Sequence, residues 1–334
     1  DDPAFREHER LFRVPRAPGA LHVLMPATPN PMLPRALRVS FARCQPESNP
    51  AVQAIVLAVP WLAGDRDEGW FRGAAAVGEQ EGLSLFRADG LLVGYGSTPF
   101  GAGDLVATTR DLYRRVLAAT RELHLYRLWN YVPQINAITT GLENYRAFCQ
   151  GRSTAFEEHF GAGFPRELSA ASAVGSDGDK LELIFAAAAT PGRHAENPEQ
   201  VPAYLYPPEH GPRPPSFARA TVAAVGGRTY TFISGTSAIK GHATIAPGQL
   251  ADQLACTLDN LRLISREVGA GDCLDAGPGG ERHFKIYLRH AADLAAARGY
   301  LERDLLQDGD KVTYLRADIC RAALNVEIEA TLVR

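Results

Sequence analysis

The chain has 334 residues, 46% of them hydrophobic and 22% charged, and a formal net charge of −3. That length suits two domains, or one large one, with a core that needs neither disulfide nor metal to hold it. A near-neutral balance without a polybasic run lacks the footprint of a nucleic-acid binder or of a protein held on anionic lipid, so neither nucleic acid nor membrane is an expected partner.

The five cysteines, at 44, 149, 256, 273 and 320, are odd in number, widely spaced and free of C-x-x-C. Reduced thiols in a cytoplasm are the expectation. The longest apolar stretch near the front, 51–64, is broken by Gln53 and Pro60 and is too short to span a bilayer. The opening DDPAFREHER has no apolar h-region, so no signal peptide is expected. The first residue is Asp rather than Met, so a few native residues are expected to precede it.

In chain order, runs of β-branched and apolar residues predict strands at 36–44, 54–59, 84–88 and 91–95. A helix is predicted over 104–123, with Leu105, Leu112, Val116 and Leu123 near one face. A strand at 126–132 (YRLWNYV), a helix over 142–160 and strands at 170–175 and 181–187 follow. The stretch 196–216 (ENPEQVPAYLYPPEHGPRPPS) is too rich in proline for regular structure. It reads either as a linker or as an ordered functional loop, and Tyr204, Tyr206 and Arg213 favour the loop.

The second half then repeats the first. A strand at 228–236 (RTYTFISGT) precedes a helix carrying Leu250, Leu254, Leu258, Leu261, Ile264 and Val268, with Gly269 as its stop. A strand at 283–288, a helix over 291–306 and a strand at 311–316 come next. The last segment alternates, with Leu324, Val326, Ile328, Ala330 and Leu332 on one face and Asn325, Glu327, Glu329 and Thr331 on the other. Both halves thus read as strands, helix, strand, helix, strand, strand, and KLELIFA at 180–186 resembles LNVEIEA at 324–330. The expectation is an α+β fold of two duplicated units, divided as 1–195 and 196–334, the latter preceded by the Pro-rich loop.

Several familiar signals are absent. The Gly226-Gly227, Gly269-x-Gly271 and Gly279-Gly280 pairs do not open a helix after a strand as a dinucleotide fingerprint does. There is no P-loop and no H-E-x-x-H, and the nine histidines show no metal-ligand spacing. Ser237-x-x-Lys240 lacks the companion motifs that would give S-x-x-K meaning. No metal and no organic cofactor are expected.

Seven segments, taken together and in order, resemble the chorismatase family. They are LWNYVPQIN (128–136), GLENYRAFCQGR (141–152), SAASAVG (169–175), ENPEQVPAYLYP (196–207), PPSFARA (214–220), FISGTSAIKGHAT (232–244) and YLRADICRAALNVEIEA (314–330). The FISG strand, the helix after it and the VEIEA ending also resemble the Rid family of small trimeric enamine/imine deaminases, whose ligands sit in clefts between subunits. The resemblance implies duplicated Rid-like units, each a mixed β-sheet with two helices packed on one face. It leaves open a monomer with internal pseudo-symmetry or a trimer.

The implied substrate is chorismate, which carries two carboxylates, an enol ether and a ring hydroxyl. Carboxylates call for guanidinium groups. Arg152 and Arg219 lie in matched segments, and Arg316 lies where the Rid pattern has its carboxylate-binding Arg. Each reads equally as a surface ion pair. Tyr145 and Tyr204 are candidates to supply hydroxyls and ring faces, or to pack in the core. Enol ether cleavage starts by protonating a methylene carbon, which needs a carboxylic acid raised towards neutrality. By alternation alone Glu327 points away from the leucine/valine core and reads as a solvated Glu. The matched VEIEA segment makes it the candidate acid, with Glu329 as the alternative.

Cys320, by residue type a small buried hydrophobe, occupies a position that divides the family by product. An aliphatic residue there goes with a dihydroxycyclohexadiene carboxylate, and Cys goes with 3-hydroxybenzoate, in some members beside 4-hydroxybenzoate. A second dividing position falls in 235–239, here Gly-Thr-Ser-Ala-Ile, and corresponds to Ser237 or Ala238, with Gly235 and Ala238 as the candidates for substrate contact. His242 orients a substrate oxygen or caps its loop. The resemblance therefore implies a cofactor-independent chorismatase of the hydroxybenzoate-forming branch. The rival readings are a diol-forming chorismatase, a Rid-type deaminase and a non-catalytic binder of small anions.

Overall fold

The computed structural model describes residues 36–41, 52–71, 73–101 and 103–334. Cys44, the end of the strand expected at 36–44 and the charged opening segment lie outside them. The described chain begins with β1 (Ala36–Phe41), β2 (Val52–Leu57), β3 (Trp61–Gly64), β4 (Ala75–Gln80), β5 (Leu83–Ala88) and β6 (Leu91–Pro99). It continues with α1 (Leu105–Ala119), β7 (His124–Pro133), α2 (Asn144–Phe160), β8 (Ala170–Ser176) and β9 (Lys180–Ala188). Then follow β10 (Arg193–Ala195), β11 (Ala220–Val225), β12 (Arg228–Thr236), β13 (Ile239–Lys240), β14 (Ala243–Thr244) and α3 (Leu250–Glu267). Strand β15 (Glu281–Leu288), α4 (Leu294–Asp304), β16 (Lys311–Arg316) and β17 (Val326–Val333) complete it. The short strands β3, β4, β10 and β11 were not expected. The predicted second-half helix from 291 is a single 3₁₀ turn, Ala291–Asp293, leading into α4.

The duplication is visible in the topology. One sheet contains the order β5-β6-β9-β7-β8 and the other β11-β12-β17-β15-β16. In each, an antiparallel hairpin leads through a helix to a strand, through a second helix to a parallel neighbour, and back along an antiparallel strand that fills the gap between. The fold is α+β, as expected. Two strands from before residue 196, β3 and β10, form the edges of the second sheet.

Side-chain alternation sorts these sheets into four layers. Leu128, Leu183 and Phe185 pack with Leu112 and Phe148 of α1 and α2. Ile286, Val326 and Ile328 pack with Leu258 and Leu301 of α3 and α4. The two remaining faces meet each other. Trp129 of β7 stacks on Trp70 at 5.1 Å and meets Phe232 of β12 edge-on at 6.1 Å. Trp70, Trp129, Tyr131, Phe232 and Tyr287 belong to this shared inter-sheet core. Both faces of β17 are therefore buried. Glu327 and Glu329 turn away from α3 and α4, as the alternation predicts, but into the inter-sheet layer rather than solvent, and only 4% and 2% of them is exposed.

Burying carboxylates there demands compensation. Glu329 accepts from the Arg127 guanidinium at 2.6 Å, from Trp129 Nε1 at 2.8 Å and from the Ser172 hydroxyl. Lys285 of β15 lies 2.8 Å from Glu329 and also pairs with Glu68. A bulge between Leu125 and Arg127 helps to aim Arg127 into this layer. Among the described residues no helix is long and apolar enough to cross a membrane.

Removing one member of a buried ion cluster leaves its partners uncompensated, at a cost of about 3–5 kcal/mol. Lys285→Met should lower the unfolding free energy by about that much in urea denaturation. A change within experimental error would show that the cluster is solvated.

Candidate active site

The cavity beside β17 has a volume of about 490 Å³, within the usual range for small-molecule sites. Glu327 and Cys320 lie on its wall with Gly235, Ser237, Arg219 and Tyr145. The β16–β17 connection carrying Cys320 is held chiefly by one partly buried side chain. Arg289 donates to Asp318 Oδ1 at 2.8 Å and to the carbonyls of Arg321 at 2.9 Å and Leu324 at 2.7 Å. Gln253 of α3 adds a bond to the Ala323 carbonyl at 2.8 Å.

Gly235 is fixed by contact rather than by its own backbone angles. A Cβ there would stand 2.0 Å from Glu327 Oε1 and 2.6 Å from its Cδ. The register of β12 against β17 shifts between Ile233 and Thr236, which brings the backbone at Gly235 against the acid. Beside it, Ser237 donates to the Val326 carbonyl at 2.8 Å.

The two carboxyls of β17 differ in protonation. Burial pushes Glu327 up to about 8, the negative Glu329 reinforces the shift, and Arg127, Arg219 and Ser237 oppose it. Burial also acts to raise Glu329, but Lys285 and Arg127 overcome it and hold that carboxylate below its usual range. Glu327 is therefore a neutral acid at pH 7 and Glu329 an anion. Burial likewise pushes the Cys320 thiol up to about 12, with Glu327 adding to the shift. The sulfur remains a neutral thiol, not a thiolate nucleophile.

Three guanidinium groups share the cavity wall with the acid. Arg219, 5% exposed, donates to the Tyr206 hydroxyl at 2.8 Å, while its Nε has no hydrogen-bond partner. Arg321 donates to the His242 carbonyl at 2.8 Å and lies over the Tyr206 ring. Arg146 pairs with Glu143 at 3.2 Å. Phe217 completes the apolar wall.

A model of the N-terminal part of FkbO/Hyg5-like chorismatases matches residues 68–187. A 3-hydroxybenzoate synthase of Streptomyces hygroscopicus is 36% identical over 271 residues, 77% of this chain and 78% of its own. A chorismatase of the same organism is 37% identical over 265 residues, 75% of this chain and 74% of its own. The chain belongs to the chorismatase family. A chorismatase crystal structure superimposes on it with a TM-score of 0.75 at 29% identity, covering 89% of this chain and 92% of that one.

Of the residues singled out in this chorismatase-family sequence, the fold brings Glu327, Cys320, Arg219, Tyr145 and Gly235 to the cavity and leaves four out of its lining. Arg152 lies on the same stripe of α2 as Tyr145, two turns or about 10 Å farther along. Its guanidinium sits over the rings of Tyr113 and Phe156 at 5.4 and 5.9 Å. Tyr204 packs against the core beneath α1 and α2. It sits in the 3₁₀ turn Ala203–Leu205, which is capped by Tyr206, the tyrosine that lines the cavity. Arg316 pairs with Asp177 at 2.8 Å near the surface. Ala238 is fully buried in the small cluster against which Cys320 packs. Sequence reasoning passed over Arg146, Tyr206, Phe217 and Arg321 as site residues. All four adjoin a chosen position or lie within two residues of it, in Tyr145-Arg146, Tyr204-x-Tyr206, Phe217-x-Arg219 and Cys320-Arg321.

Glu327 should titrate near pH 8 by carbon-13 NMR of labelled carboxyl groups. Glu329→Gln should move that transition to lower pH, because a like charge is lost while Lys285 and Arg127 remain. A raised carboxyl binds more protons folded than unfolded, so its contribution to stability is full at low pH and is lost as pH rises through 8. A Glu327 transition near 4.5 in the wild type would contradict the arrangement.

Proposed function

We propose that this chorismatase-family protein converts chorismate to pyruvate and 3-hydroxybenzoate. The observation that carries the proposal is a buried carboxylic acid, raised to about 8 and set in the wall of a cavity with three guanidinium groups. A dianion with two carboxylates suits Arg146, Arg219 and Arg321. Its enol ether needs an acid that is still protonated at neutral pH, which Glu327 supplies. The curated relative at 36% identity is a 3-hydroxybenzoate synthase.

In the proposed reaction Glu327 gives its proton to the terminal methylene carbon, and positive charge develops at the ether carbon. The ring hydroxyl displaces the side chain as pyruvate, its proton returning to the Glu327 carboxylate. The arene-oxide-like ring then opens and loses a ring proton to become aromatic, a step that Cys320 assists as a neutral thiol. Chorismate thus divides into pyruvate and hydroxybenzoate with no water consumed. The diol-forming alternative consumes one water.

Purified protein and chorismate should give equal amounts of pyruvate and 3-hydroxybenzoate, the acids being separated by chromatography. Glu327→Gln should lower turnover roughly 10²–10⁴-fold with binding nearly intact. A diol acid from the wild type would move the protein to the hydrolytic branch. No pyruvate above background would overturn the proposal. Turnover should also fall as pH rises through about 8, where Glu327 loses its proton.

The product preference tests Cys320 separately. Cys320→Val should shift the acids towards the non-aromatic diol while pyruvate release persists. An unchanged product ratio would remove Cys320 from the choice of product.

A further inference from the structure

Three side chains on the more exposed part of the cavity wall take no part in this chemistry. His210 ends the 3₁₀ turn Pro208–His210, Glu209 precedes it, and His242 stands in the tight turn between β13 and β14. All three line the cavity. Glu209 and His210 are adjacent, but His210 and His242 are 32 residues apart in sequence, so no spacing motif announces them.

Their donor atoms form a compact triangle. His210 Nε2 and His242 Nδ1 are 3.0 Å apart. Glu209 Oε1 lies 3.6 Å from the first and 3.4 Å from the second. A tetrahedral zinc with nitrogen and oxygen ligands at about 2.0–2.1 Å sets its ligand atoms about 3.3 Å apart. The corners of this triangle stand about 1.9 Å from its centre. An ion about 0.7 Å off the plane therefore meets all three donors at about 2.05 Å, leaving a fourth position for water or a carboxylate.

The backbone behind these ligands is already held. Gly241 N donates to the Glu199 carbonyl at 2.8 Å, and Val201 N to the Gly241 carbonyl at 3.0 Å. Arg321 fixes the His242 carbonyl from the cavity side. Little ordering remains to oppose metal binding at the two imidazoles. Arg146 and Arg321 share this wall, and their charge works against a cation.

We propose that Glu209, His210 and His242 form a binding site for a divalent transition metal of the zinc class in the wall of the cavity. The two imidazoles and one carboxylate are a borderline donor set, suited to zinc or cobalt and ill-suited to magnesium or calcium.

The test is zinc titration of the untagged, full chain against a chromophoric chelator, with cobalt absorption as a second probe. One zinc per chain should bind with roughly micromolar affinity, and cobalt should give an intense tetrahedral visible band. His210→Gln and His242→Gln should each weaken binding by about tenfold or more, with melting temperatures near wild type. A zinc-soaked wild-type crystal should show an anomalous peak between the three side chains, which decides the matter even if a variant misfolds. Saturable zinc that is unchanged in the double histidine variant, or an anomalous peak at Cys273 alone, would overturn the proposal. So would the absence of saturable binding below 1 mM.

Discussion

One strand cannot bury two ionised carboxylates side by side without a cation for each. β17 sets Glu327 and Glu329 on one face, and that face is sealed by the other sheet. Lys285 and Arg127 both go to Glu329. Glu327 appears in no ion pair among the described residues, and its low-energy form is the neutral acid. One carboxyl is ionised because it takes the cations, and the other keeps its proton because it is buried without one, the charge of the first adding to the shift. This is how a fold separates two acids of the same type into two roles.

The matching strand of the first sheet lacks a second carboxyl beside its first. β9 takes the place of β17 in the first sheet, and its inter-sheet face carries Ile184, Ala186 and Ala188. The face is the same, but apolar side chains fill most of it, and its carboxyl, Glu182, is buried near the strand's start and accepts from the Tyr95 hydroxyl at 2.7 Å. The clamp is also particular to the second half, where Arg289 and Gln253 hold the β16–β17 connection by its carbonyls. A loop tied at its backbone can place Cys320 and Arg321 on one wall without relying on side-chain packing alone.

Much of this was legible in the sequence, and the parts that were not have physical reasons. The long periodic elements, α1, α2, α3, β7, β12 and β16, fall where their residue patterns predict. The strand β3 was missed because four residues beside a proline carry too little pattern, and what defines it is pairing with β16, some 250 residues later. The resemblance of 180–186 to 324–330 has the right strands but a register wrong by one residue. It sets Leu183, which faces α1 and α2, against Glu327, which faces the other sheet. A slip of one exchanges the faces of a strand, and only the partner sheet shows which face is which. The same limit applies to Glu327, since alternation separates the two faces of β17 but cannot tell an interface from solvent. The arginines at the cavity differ in part from those expected, for another reason. Motif position selects a segment, whereas the side of the helix or turn selects the residue, so Arg146, Arg321 and Tyr206 line the cavity while Arg152, Arg316 and Tyr204 lie outside its lining.

The thiol at 320 bears on the proposed product through water. Aromatisation of chorismate needs none, whereas the diol needs one molecule delivered to the ring, so branch choice depends on what stands beside the intermediate. Cys320 packs against Ala238, Ile239 and Ile319 on one side and lines the cavity on the other. Its S–H is a weak donor with almost no thiolate at neutral pH, which leaves it as a small polarisable group and no base for activating water. A valine there would fill a similar volume but offer no S–H to the opening ring. The difference between the two side chains is then one polar hydrogen in a wall otherwise shaped alike, and in the proposed reaction its effect falls on the partition after pyruvate has left, not on the protonation assigned there to Glu327.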